Sequence, residues 1–123
     1  MNPMPESTIR TYPKPSPLVR VDRAPSSPVS LPWKLATSAP DGRSITIVYV
    51  RGFDGCVDAD GVEIDEGQAA VTVTVWGKDL GAFACGGGPL LTSTVVELTA
   101  PLARRPLVHA PITPAFAADY FAR

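Results

Sequence analysis

At 123 residues with a formal net charge of −1, the chain has room for one domain and is too nearly neutral to single out nucleic acid or a membrane surface as its main partner. Nine of the 14 prolines fall within the first 40 residues, whereas all ten glycines lie at Gly42 or later. Two kinds of chain are therefore joined near Trp33.

In the first, residues 1–32, closely spaced prolines fix φ and remove backbone donors, which predicts an extended, polyproline-like arm rather than helix or central strand. The arm is basic: residues 1–34 carry Arg10, Lys14, Arg20, Arg23 and Lys34 against Glu6 and Asp22. Its start has no apolar core of an export signal, no glycine for myristoylation, and no transmembrane run follows. The expectation is a protein that matures outside the cell after release by lysis, as virion proteins do, or equally a cytosolic one with two reduced cysteines.

Asp41-Gly42 signals a turn into 44–51, Ser-Ile-Thr-Ile-Val-Tyr-Val-Arg, a β-branched and aromatic run that predicts a strand with Ile45, Ile47 and Tyr49 on one face. After a break at Gly52–Gly55, Val62 and Ile64 alternate with Glu63 and Asp65 in a short, half-exposed strand. Residues 69–76 give the cleanest alternation, with Val71, Val73 and Val75 inward and Thr72, Thr74 and Trp76 outward. A loop over 77–89 holds Cys85 and three consecutive glycines, and 90–98 resumes as strand with Thr92, Thr94, Val96 and Leu98 on one face. Residues 101–106 turn, and 107–110 make a last short strand.

The tail opens on Thr113-Pro114, a helix-start pattern, with Phe116 and Tyr120 spaced to share a helical face, as are Ala117 and Phe121. These elements predict an all-β fold: a small antiparallel β-sandwich or partly closed barrel over 33–111, built as a meander, between a Pro-rich arm at 1–32 and a helical tail at 112–123.

Residues 54–66 hold Asp54, Asp58, Asp60, Glu63, Asp65 and Glu66 without a base, but a calcium loop would need carboxylates where Cys56 and Gly67 stand. A solvated acidic hairpin is the expectation, with no metal or cofactor. His109, the one histidine, stands without a nucleophile elbow, and Gly86–Gly88 precede neither lysine nor helix. Cys56 and Cys85 are too few for a zinc site and lack redox spacing. They remain either a disulfide or two small buried hydrophobes. Paired, they close a loop of about 30 residues, for which chain entropy gives roughly 3.5 kcal/mol.

The stretch from Trp33 to Ala110, with Asp41-Gly-Arg43, Tyr49-Val-Arg-Gly52 before Cys56, the Val-Thr-Val-Thr-Val strand, Cys85, and 95–108, resembles small two-cysteine β-domains of high-GC actinobacteria and their phages. That resemblance implies a β fold and a Cys56–Cys85 pairing, and no activity. Where those domains usually read Pro-Leu-Gly-Asp-Arg in the penultimate turn, this chain has Ala103 and Arg104. The expectation is a non-enzymatic structural protein, such as a capsid decoration or tail component of a virion. Its partners would be other protein subunits, including other copies of itself, bound through Arg10, Tyr12, Lys14, Arg20 and Arg23 of the arm and Phe116, Tyr120 and Phe121 of the tail. The alternative is a secreted or envelope ligand-binding module.

Overall fold

The chain is described here by a computed structural model over residues 16–25, 28–53, 56–80 and 89–117. Its strands are β1 (Pro28–Leu31), β2 (Trp33–Ser38), β3 (Ser44–Phe53), β4 (Val57–Glu66), β5 (Val71–Asp79), β6 (Pro89–Glu97) and β7 (Leu107–His109). The fold is all-β, an open sheet curled into a half-barrel.

Strands β3, β4 and β5 follow one another antiparallel, but β4 stays with β3 only at Gly52–Asp58 and Phe53–Val57 before running the length of β5. The rest of that β3 edge is taken by β2, and β6 pairs along the opposite edge. On the far edge of β5, β1 pairs with the last part of the strand and β7 with the first. Only Pro32 separates β1 from β2, and its carbonyl accepts the Val50 N–H at 3.0 Å. The chain thus switches from the β5 edge to the β3 edge at a residue that has no ladder donor to lose. Register shifts between Val50 and Gly52 and between Ala59 and Gly61 lie near this corner, and such bulges bend a strand and raise its twist.

The curl encloses one core, in which Leu31, Ile47, Tyr49, Val71, Val73 and Val75 are fully buried. The inward faces expected of β3, β5 and β6 hold, with Ile45, Ile47 and Tyr49, then Val71, Val73 and Val75, and Thr92, Thr94, Val96 and Leu98 buried, although Val48 and Val50 on the other face of β3 are buried as well. The outer face of β5 is less solvated than the pattern implies, because Thr74 is also buried while Thr72 and Trp76 are half-buried.

Two expectations are corrected. The arm does not end at residue 32, since 28–31 form β1 with Val29 and Leu31 in the core and residues 16–25 lie against the sheet. Prolines at 25, 28 and 32 obscure the strand in sequence, yet Pro28 begins β1 and Pro32 sits between strands, where a missing N–H is tolerated. The meander is broken because β6 returns to β3 and β7 runs parallel to β5. In the described part of the tail, 112–117, a single 3₁₀ turn forms at Pro114–Phe116, and the rest of the expected helix, 118–123, lies outside the described residues.

Candidate functional site: a seam closed by residues 16–25

Beyond Asp58, β4 leaves β3, so the half-barrel opens between β4 and β6. Residues 16–21 cross that opening. On the β6 side the Ser16 N–H donates to Ser93 O at 2.9 Å and the Leu18 N–H to Thr94 Oγ1 at 3.1 Å. On the β4 side the Val21 N–H donates to Val62 O and the Val62 N–H to Val19 O, both at 2.9 Å, a parallel bridge centred on Arg20. Leu18 packs against the core, and the buried Tyr49 donates its hydroxyl to Ser16 O at 2.5 Å. Burial raises the Tyr49 pKa, against the opposing effects of the Ser16 bond and the Arg51 charge.

The seam requires Gly61. A Cβ there would lie 2.8 Å from a Val21 methyl and 3.0 Å from Val19 O, too close for real packing. After Val21 the chain bends at Asp22 and Arg23 and passes beside Asp60, Gly61 and Trp76, leaving a surface groove of about 270 Å³. A second groove, about 430 Å³, lies where Arg20 and Asp22 face Glu63 and Asp65. Trp76 Nε1 donates to Glu63 Oε1 at 2.7 Å.

At one end the seam is fastened by a polar hub. Arg20 donates to Glu97 O and Ile64 O, and its guanidinium is 3.6 Å from the Glu66 carboxylate. Glu66 accepts the Thr99 and Ala100 N–H groups at 2.7 and 3.3 Å. Burial works against its ionisation, but bonds from Thr99 and Ala100 together with Arg20 outweigh this and hold the carboxyl below its ordinary pKa. Arg105 donates to Gly67 O, Leu102 O, Ala100 O and Pro101 O and lies 3.7 Å from Glu66. The adjoining turn closes with Arg105 N–H to Leu102 O at 3.0 Å and places Ala103 at φ 54. A positive φ at this first central position suits glycine.

His109 is held by both ring nitrogens. Nε2 accepts the Trp33 N–H at 3.0 Å, which leaves Nδ1 to donate to Ala110 O at 2.6 Å, and the ring stacks on Trp33 with centroids 4.6 Å apart. Burial lowers the His109 pKa, opposed by the Ala110 bond. Trp33 Nε1 in turn donates to Val73 O, so the ring pair ties β2, β7 and β5 together.

The residues assigned to partner binding divide three ways. Arg20 is engaged within the chain while its side chain stays 46% exposed, and Phe116 packs partly buried against the chain's own core. Arg23 is exposed beside the smaller groove. Arg10, Tyr12, Lys14, Tyr120 and Phe121 lie outside the described residues, as does Cys85. Cys56 is buried, and no described cysteine is a free thiol. Asp58 and Asp60 stand on an extended ten-residue strand rather than in a chelating loop. Sequence reasoning missed Gly61, Glu66 and Arg105; the run Pro-Leu-Ala-Arg-Arg was the available signal for the hub.

The chain matches no protein-family model, no curated protein and no solved structure.

Proposed function

We propose that this is a non-enzymatic structural protein whose β-domain is tied to neighbouring subunits by its N-terminal extension, a candidate capsid-decoration or tail component of an actinobacterial phage virion. The observation that carries the proposal is the seam: residues 16–21 already act as an added strand, joined by main-chain bonds to β4 and β6. The tether to a neighbour is then residues 1–15, with Arg10, Tyr12 and Lys14, rather than 1–32. Extended proline-rich backbone loses little entropy on binding and leaves its carbonyls free to accept. Acidic side chains of β4 on another copy offer a counter-charge, which guides register more than affinity. The Cys56–Cys85 disulfide belongs to the same proposal, as a staple suited to a small domain that works outside a reducing cytosol.

The test is the native particle. Deleting residues 1–15 is expected to leave a folded domain absent from the megadalton fraction, and raising salt to weaken incorporation of the intact chain. A truncated chain that still assembles fully would show the tether to be passive. Of the two grooves, the one beside Trp76 balances Asp22 and Asp60 with Arg20 and Arg23, whereas in the larger one Asp22, Glu63 and Asp65 outnumber Arg20. That larger groove favours a second reading, a secreted or envelope module for a cationic ligand. Recovery of the native protein as a 13 kDa monomer would favour it.

A further inference from the structure

We propose that the opening between β4 and β6 is a strand-acceptor groove, and that residues 16–25 exchange between copies of this chain. The inference rests on the assembly reading and names its partner as a second copy.

Three observations carry it. The groove is built for a strand: Gly61 has no Cβ where the strand passes, Tyr49 reaches out of the core to Ser16 O, and Thr94 presents its hydroxyl to the Leu18 N–H. The strand is held by groups that any copy supplies identically, so seating in cis or in trans makes the same contacts. The connection is short: the seam strand and β1 both run parallel to β4, and six residues, 22–27, join Val21 beside β4 to Pro28 beside β5. Only Ser26 and Ser27 separate Pro25 from Pro28, and proline restricts how such a link can turn.

With equal contacts, the balance is set by the local concentration of the tethered segment, on the order of millimolar for a short flexible linker. A short crossover flanked by Pro25 and Pro28 restricts the segment's return to its own groove and lowers that figure, as short hinges do in strand exchange. Dilute chain is therefore monomeric, and chain crowded to millimolar local concentration on a particle exchanges strands. Reciprocal exchange closes a dimer, and one-way exchange builds a row of subunits.

Full-length chain refolded at about a millimolar is expected to give dimers by native mass spectrometry, with the dimer fraction falling about tenfold or more in Gly61→Val, which blocks the groove, and in Leu18→Asp, which spoils the strand. Mixing the two variants restores a heterodimer, since one sound strand meets one sound groove. Should either variant fail to fold, a Ser16→Cys chain refolded with a Ser93→Cys chain supplies the second readout, an intermolecular 16–93 disulfide. Monomers at every concentration, dimers indifferent to both substitutions, or a 16–93 disulfide formed only within one chain carrying both cysteines would overturn the exchange. These outcomes are read on purified chain, so they are separate from failure of the native-particle test.

Discussion

Strand β5 and the seam segment both sit in the wall of the half-barrel, yet they hold their places for different reasons. In β5 the alternation of Val71, Val73 and Val75 with polar residues fixes which face is buried, and both edges are paired along much of its length. The seam segment has prolines at 17 and 25 and one inward anchor, Leu18. Its position is set by what it meets: a strand without a Cβ at Gly61, the Tyr49 hydroxyl, and the Arg20 contacts. One strand is specified by its own pattern and the other by its socket.

Substitutions can break this comparison, and the largest effect belongs to β5. Val73→Asp places an unpaired carboxylate where exposure is 0%, at a cost of about 4 kcal/mol or more, enough to unfold the domain. Thr72→Asp, on the other face, is expected to cost about 1 kcal/mol or less. Thermal melts of the pair measure the difference, and equal losses would mean that both faces of β5 are fully core.

Next in size is the staple. Peptide mapping without reductant is expected to recover Cys56 joined to Cys85, and the double serine variant to lose roughly 3.5 kcal/mol. Two freely alkylated thiols in native protein would refute the pairing.

Acid sharpens the comparison at the two polar fastenings. The folded pKa of His109 lies below its unfolded value, so the unfolded chain takes up the extra proton. Its contribution is complete above about pH 6.5 and is lost as pH falls through the folded pKa. Glu66 follows the same sign at lower pH, below about 4.3, where protonation loosens the hub that holds Arg20. Urea midpoints against pH are expected to fall in these two windows. His109→Gln flattens the first and Glu66→Gln the second.

Tyr49→Phe removes one seam bond, worth about 1 kcal/mol. Hydrogen exchange is expected to quicken at the Leu18 and Val21 amides while those of β5 keep their protection. Uniform quickening would mean that the seam and the barrel open as one unit. Smallest, and stabilising, is Ala103→Gly: relieving a left-handed alanine gains about 1 kcal/mol or less, because glycine also gives the unfolded chain more freedom. A chemical melt unchanged or lowered would mean that the turn shifts instead.

What the sequence disclosed follows the same division. Alternation exposed the inward faces of β3, β5 and β6, and Asp41-Gly42 marked its turn, where Gly42 has φ 72. The strand at 28–31 was hidden because proline propensity speaks for isolated chain and not for sheet corners, where a missing donor is harmless. Gly61 read as one acidic-hairpin glycine among others, since the Val21 methyl that demands it lies 40 positions away. Arg105 and His109 act through main-chain carbonyls and N–H groups, which leave no residue-type signature at the other end of the bond.

The direction of the seam strand has a mechanical consequence. Residues 19–21 run along β4 and Ser16 is bonded to β6, so traction on the chain upstream of Ser16, drawn along the strand axis, loads these bonds in shear, together, instead of peeling them one by one. The Arg20 contacts lie behind them, on the side away from the pull. A subunit hauled by its N-terminal end would resist as a lap joint does, and would yield sooner when the same force is turned perpendicular to β4.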